Sequence, residues 1–152
     1  LNPEREAVYG KIFARYLADP ENLFIISSDF CHWGKRFHYT SYDKRHGDIW
    51  KSIKALDHTG MQIIESMNPS AFSDYLQDYR NTICGRHPIG ILLNAIETLR
   101  SGSNDSDGNN ARTLHGAAQQ FSLKFLQYAQ SGQCQNMDDS SVSYAAASLV
   151  IQ

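Results

Sequence analysis

The sequence predicts an α/β domain, and three observations carry that reading. The run from Leu23 to Ser28 opens with four consecutive apolar residues, short enough for a strand buried on both faces of a parallel sheet. Four stretches repeat apolar residues at helical spacing. Two late segments, 121–129 and 142–151, have the composition of strands.

Taken in order, Asn2-Pro3 reads as a helix cap followed by proline in the first turn. Val8, Ile12, Phe13, Tyr16 and Leu17 then share one helical face, which is expected to face the core. Asp19-Pro20 stops this helix, and the apolar run follows. Residues 35–47 have no period and read as a loop. Ile49, Ile53, Leu56, Gly60, Ile63, Ile64 and Met67 form the next helical stripe. Gly60 lowers helix propensity there and permits a close approach. Asn68-Pro69 starts another helix, with Phe72, Tyr75, Leu76 and Tyr79 on one face. Ile89, Leu92, Leu93, Ile96 and Leu99 mark a fourth, with Pro88 near its first turn. Residues 101–120 are small, polar and turn-forming, and read as a mobile insertion. Phe121, Leu123 and Phe125 then alternate with Ser122 and Lys124, the period of a strand.

The 152 residues are enough for one domain, which at this size buries about 68–70% of its unfolded surface. A net charge of −2 gives no electrostatic footprint for nucleic acid, and no apolar run approaches a membrane span. Cys31, Cys84 and Cys134 are odd in number and widely spaced, which argues for a reducing compartment rather than a disulfide scaffold. Three strands are few for four helices, and the chain opens on Leu1. The expectation is a piece of a longer protein.

Chemistry concentrates in two places. "SSDFCHWG", Ser27 to Gly34, sits where the first strand ends, and open α/β sheets bind ligands beyond strand ends. Asp29 and His32 are three apart, so a turn brings both to one site, the carboxylate beside an acid/base imidazole. The plainer alternative is a turn-capping Asp29 and a satisfied His32. "CGRHPIG", Cys84 to Gly90, places a thiol before a helix N-terminus, as a metal ligand or nucleophile. The plainer alternative there is a small buried Cys84 and a helix-capping His87. No phosphate loop, dinucleotide fingerprint or nucleophile elbow is present.

"YGKIFARYLADPENLFIISSDFCHWGKRF", "NTICGRHPIGILLNAI" and "DSSVSYAAASLVI" resemble the Memo family, named for mediation of receptor-driven cell motility. The resemblance runs through nearly the whole chain except residues 101 to about 120, and covers the C-terminal half of the family domain. It implies the fold of the class III extradiol dioxygenases, a mixed sheet flanked by helices. It also implies a non-haem pocket for copper or iron, with two histidines from the N-terminal half and a cysteine that falls on Cys84. On the same basis His32 resembles the acid/base histidine and Asp29 lies beside it.

The resemblance further implies a cytoplasmic signalling adaptor in cell motility, with the nucleus as a second compartment. Its partner would be a phosphotyrosine-bearing receptor tail; Arg86 is one candidate phosphate contact, with Lys35 and Arg36 beside the other motif, and the plainer alternative for all three is solvated surface charge. The rival readings are a metal-dependent oxidoreductase and an inert half-domain that only completes or binds a partner. Thiolate and imidazole together favour copper, especially Cu(I), without excluding Fe(II). With one thiolate and one histidine, the chain alone is expected to hold no metal tightly. The N-terminal half of the family domain is then its natural complement.

Overall fold

The computed structural model describes residues 1–102 and 120–152. Four helices are α1 (Pro3–Leu17), α2 (Ile49–Glu65), α3 (Pro69–Tyr79) and α4 (Arg86–Gly102). Three strands are β1 (His32–Trp33), β2 (Phe121–Gln130) and β3 (Ser141–Ile151). Their order in the sheet is β1-β3-β2 and both pairings are antiparallel. The expected mixed sheet is therefore corrected to an antiparallel one among the described residues.

The helix boundaries follow local chemistry. Asn2 Oδ1 accepts from the Arg5 N–H and Asn68 Oδ1 from the Ala71 N–H, each with proline in the first turn. Residues 35–47 contain only two short 3₁₀ turns. Gly60 does admit a neighbour: a Cβ there would lie 2.8 Å from Tyr75 Oη.

Phe30, Phe72, Tyr75, Ile83, Leu93 and Leu123 form the largest apolar cluster, between α2, α3, α4 and the sheet. Trp33 packs in a second cluster with Cys31, Ile49, Ile53 and Cys134. A third holds α1 to α4 through Ala14, Leu17, Ala95 and Ile96. At the crossing of these two helices, a Cβ on Gly10 would lie 2.5 Å from Asn94 Cβ, so glycine sets the helix separation.

Two expectations are overturned. The segment Leu23 to Ser28 is neither a paired strand among the described residues nor buried on both faces. Exposure alternates along it, with Leu23 at 84% and Ile25 at 81%. Its exposure alternates as in a strand, but among the described residues no partner strand covers it. In α1, the faces are divided differently from expectation. Gly10, Ala14 and Leu17 are buried, whereas Val8, Ile12, Phe13 and Tyr16 are exposed. Small residues allow the close approach to α4, and the bulky stripe is left facing outward.

The expected mobile insertion at 101–120 lies mostly outside the described residues. Ser101 and Gly102 end α4, while the Gln120 N–H donates to the Gln152 carbonyl beyond the β2–β3 ladder.

One buried polar group organises the centre. Asp57 lies on the apolar face of α2 and is fully buried. It accepts from the Cys31 N–H at 3.2 Å, from Asn81 Nδ2 at 2.9 Å and from Tyr128 Oη at 2.8 Å. Burial holds its carboxyl above the usual carboxylate range, while these donors pull it down. Burial likewise raises the Tyr75 and Tyr128 phenols and the Cys31 thiol.

Candidate metal centre

"SSDFCHWG" divides its side chains between core and site. Phe30, Cys31 and Trp33 are buried in the clusters just described, while Asp29 and His32 are half-buried at the surface. β1 pairs His32 with Val142, which anchors this segment to the sheet. Opposite it runs the loop between α3 and α4, which carries Cys84.

The two segments are stitched together by hydrogen bonds. The Cys84 N–H donates to the Asp29 carbonyl at 3.3 Å, and the Asp29 N–H donates to Cys84 Sγ at 3.1 Å. The Gly85 N–H donates to Ser28 Oγ, which itself donates to the Asp29 carbonyl. Thr82 Oγ1 accepts from the His32 N–H at 2.7 Å and donates to the His32 carbonyl at 3.0 Å. The expected Asp29, His32 and Cys84 thus come together, with one ligand atom of each lying within 4.8 Å of the others.

The imidazole is held in one form. His32 Nδ1 lies 2.9 Å from the Phe30 carbonyl and 3.1 Å from the Thr82 carbonyl. Two carbonyls can only accept, so Nδ1 carries the proton and, in the neutral ring, the free lone pair is on Nε2. A backbone carbonyl on the other ring nitrogen is the support that metal-bound histidines ordinarily have. The Phe37 ring packs edge-on against His32 at 5.2 Å between centroids. Thr82 was not anticipated from sequence. The only signal was the position of Thr82 two residues before Cys84.

Cys84 is exposed, unlike Cys31 and Cys134. α4 begins two residues after it, so a helix N-terminus, where negative charge is favoured, lies behind the thiol. Arg86 is exposed and its Nη1 donates to the Ile83 carbonyl of its own loop. His87 does not cap the helix by itself: its Nδ1 lies 2.6 Å from Glu6 Oε1 and ties α4 to α1.

The donor set fits a transition metal. Two ligands on one ion stand at most about 4.6 Å apart, given bonds of ~2.0–2.3 Å, so a small side-chain adjustment closes this cluster. Thiolate, imidazole and carboxylate are all metal-ligating groups, so the three could hold one ion. Asp29 adds a third donor to the thiolate and single imidazole expected of this chain.

Gly85 sets the distance between the two segments. A Cβ there would collide with Ser28 Cβ and lie 2.6 Å from the Ser27 carbonyl oxygen. Gly85→Ala is expected to lower stability by about 1–3 kcal/mol and to part Cys84 from Asp29. Thermal unfolding and amide exchange at Asp29 check this. An unchanged melting temperature would show that the loop has slack.

This is an α/β protein with a cysteine, a histidine and an aspartate converging beside a sheet strand. The model for Memo-like proteins matches residues 1–148, and the chain belongs to that family. It is 53% identical over 151 residues to "Protein MEMO1" of Homo sapiens and 52% identical to that of Danio rerio. In both cases the match covers 99% of this chain and 46% of the relative. "Protein memo-1 homolog" of Caenorhabditis elegans is 46% identical over 153 residues, 39% of its length. The chain therefore spans about half the length of these vertebrate relatives and less of the nematode one. No helix among the described residues is long and apolar enough to cross a membrane.

Proposed function

We propose that this chain is part of a Memo-type cytoplasmic signalling protein of cell motility, in which it supplies the Asp29–His32–Cys84 wall of a copper or iron pocket. One observation carries the reading. Three donor atoms of different chemistry converge within 4.8 Å, and the imidazole among them has its other nitrogen fixed by two carbonyls.

Cys84 is the metal-binding thiolate, held by the Asp29 N–H. His32 offers Nε2 to accept and return a proton, or as a further ligand. Asp29 lies beside it and adds negative charge that favours a cation. When bound, copper or iron supplies one-electron redox chemistry. Ring cleavage by two histidines and one carboxylate is not part of this proposal, because a thiolate takes a ligand position. The free thiols Cys31, Cys84 and Cys134 agree with a reducing compartment. The adaptor role rests on the family, and Arg86, exposed two residues from Cys84, is the cation offered to a phosphotyrosine peptide.

Anaerobic titration with Cu(I) against a chromophoric competitor tests the ligand assignment. Cys84→Ser is expected to weaken binding at least about tenfold, roughly 1.4 kcal/mol, with an unchanged near-UV spectrum. Equal affinity in the variant removes Cys84 from the site.

A further inference from the structure

We infer that Asp57 and Asn81 are positioning residues for the metal centre: from inside the core they fix the spacing of the two segments that carry His32 and Cys84. This role rests on the reading of that site as a metal pocket, but its first readout is taken without metal.

The link begins at one oxygen, which receives a donor from each segment. Asp57 Oδ1 accepts from the Cys31 N–H at 3.2 Å and from Asn81 Nδ2 at 2.9 Å. Cys31 directly precedes His32. Asn81 directly precedes Thr82, whose Oγ1 holds the His32 N–H and carbonyl and whose own carbonyl faces His32 Nδ1. Cys84 follows two residues later. The acceptor is itself held in place. Asp57 is fully buried on α2, and its Oδ2 accepts from Tyr128 Oη of β2 at 2.8 Å. Tyr128 Oη in turn accepts from Gln130 Nε2, while Ser143 of β3 bonds through its backbone to Phe30 and Cys31.

Asn81 is retained at a cost, which points the same way. It is 4% exposed, and its Oδ1 has no hydrogen-bond partner among the described residues. A buried acceptor left unpaired is destabilising, and an apolar side chain would carry no such penalty. What Asn81 supplies is its two amide protons, which go to Asp57 Oδ1 and to Tyr75 Oη.

The consequence for the site is geometric. The outer ties, between Asp29 and Cys84, include an exposed thiol and compete with water. The inner tie through Asp57 does not. Ligands are only as fixed as the groups behind them. Without the inner tie Thr82 is free to leave His32, and Nδ1 loses one of the two carbonyls that hold its proton.

The test uses the full chain with ¹⁵N-labelled histidine, first metal-free and at about pH 8, above the ordinary histidine range. Ring shifts read which nitrogen of His32 carries the proton, and the native chain is expected to show Nδ1–H. Asn81→Leu is near in shape, removes the unpaired acceptor and cuts the arm to Thr82. It is expected to populate the Nε2–H form and to speed amide exchange at His32 at least about tenfold. Asp57→Asn keeps an acceptor at the Oδ1 position, and Tyr128 can turn its O–H to Ser143 Oγ, 3.2 Å away. Both readouts are expected to stay native in it. Leu17→Ala, in the α1–α4 cluster, lowers stability elsewhere and is expected to move neither. Cu(I) titration of the same proteins then reads the coupling, with affinity falling at least about tenfold in Asn81→Leu alone. A native His32 ring and native exchange in Asn81→Leu overturn the inference. So does an equal disturbance in Leu17→Ala, or a disturbed ring with undiminished, Cys84-dependent Cu(I) affinity. Should Cys84→Ser bind Cu(I) as the native chain does, the metal reading falls, and the metal-free ring readout still decides whether Asp57 and Asn81 position His32.

Discussion

Trp33→Ala lowers the stability of this domain by about 3–5 kcal/mol. The indole is fully buried among Cys31, Ile49, Ile53 and Cys134, so truncation leaves a cavity that the sheet and α2 cannot easily fill. It also removes the bond from Nε1–H to the Ser41 carbonyl at 2.9 Å, which fastens the loop after β1. Trp33→Phe keeps most of the volume, loses that bond, and is expected to cost about 1 kcal/mol more than a shape-neutral change. Denaturant titration reads both. A loss below about 1 kcal/mol for the alanine variant would mean that this cluster collapses without penalty. His32 adjoins Trp33, so the alanine variant is also expected to weaken Cu(I) binding through position alone.

Asp57→Ala is the second large effect, expected at about 3 kcal/mol or more. It strands the buried Cys31 N–H and takes one acceptor each from Asn81 Nδ2, which keeps Tyr75 Oη, and from Tyr128 Oη, which keeps Ser143 Oγ. The native carboxyl also gives stability a pH dependence of definite sign. Burial raises its folded pKa above the unfolded value of about 3.9. Between those two values the folded state holds a proton that the unfolded state has released. Stability therefore falls as pH rises through that window and levels off above the folded pKa. The neighbouring groups, Cys31, Tyr75 and Tyr128, are all pushed upward by burial and stay neutral across it. Asp57→Asn should flatten this segment of the curve. A curve of the same slope in the variant would assign the dependence to other carboxylates.

The helices were legible because their signals are local. Asn2-Pro3 and Asn68-Pro69 mark starts, and the stripes of α2, α3 and α4 fit the observed spans. The orientation of α1 was not legible. Val8, Ile12 and Phe13 are the larger apolar residues, and nothing in the order of residues tells that Gly10 and Ala14 meet α4 instead. Leu23–Ser28 was read as buried because its apolar residues are continuous, and among the described residues no strand pairs with it. Asp29 and His32 were readable from one octapeptide. Thr82 was not, since its bond to His32 depends on register between distant segments. Asp57 did leave a mark: a carboxylate interrupts the apolar stripe of Ile53, Gly60 and Ile64, where only a partnered charge is tolerated.

The pairing of His32 with Val142 has a kinetic consequence. It is a contact between residues far apart in the chain, and such contacts close slowly. The helical pair α2–α3 and the β2–β3 hairpin need only local chain to form. The segment that carries Asp29 and His32 is docked by β3, so it waits for the hairpin. During synthesis on a ribosome, His32 emerges before β3 and stays without its sheet partner until Val142 has been made. A nascent chain arrested before β3 would accordingly be open to proteolysis around residues 29–33 and become protected once β3 is released.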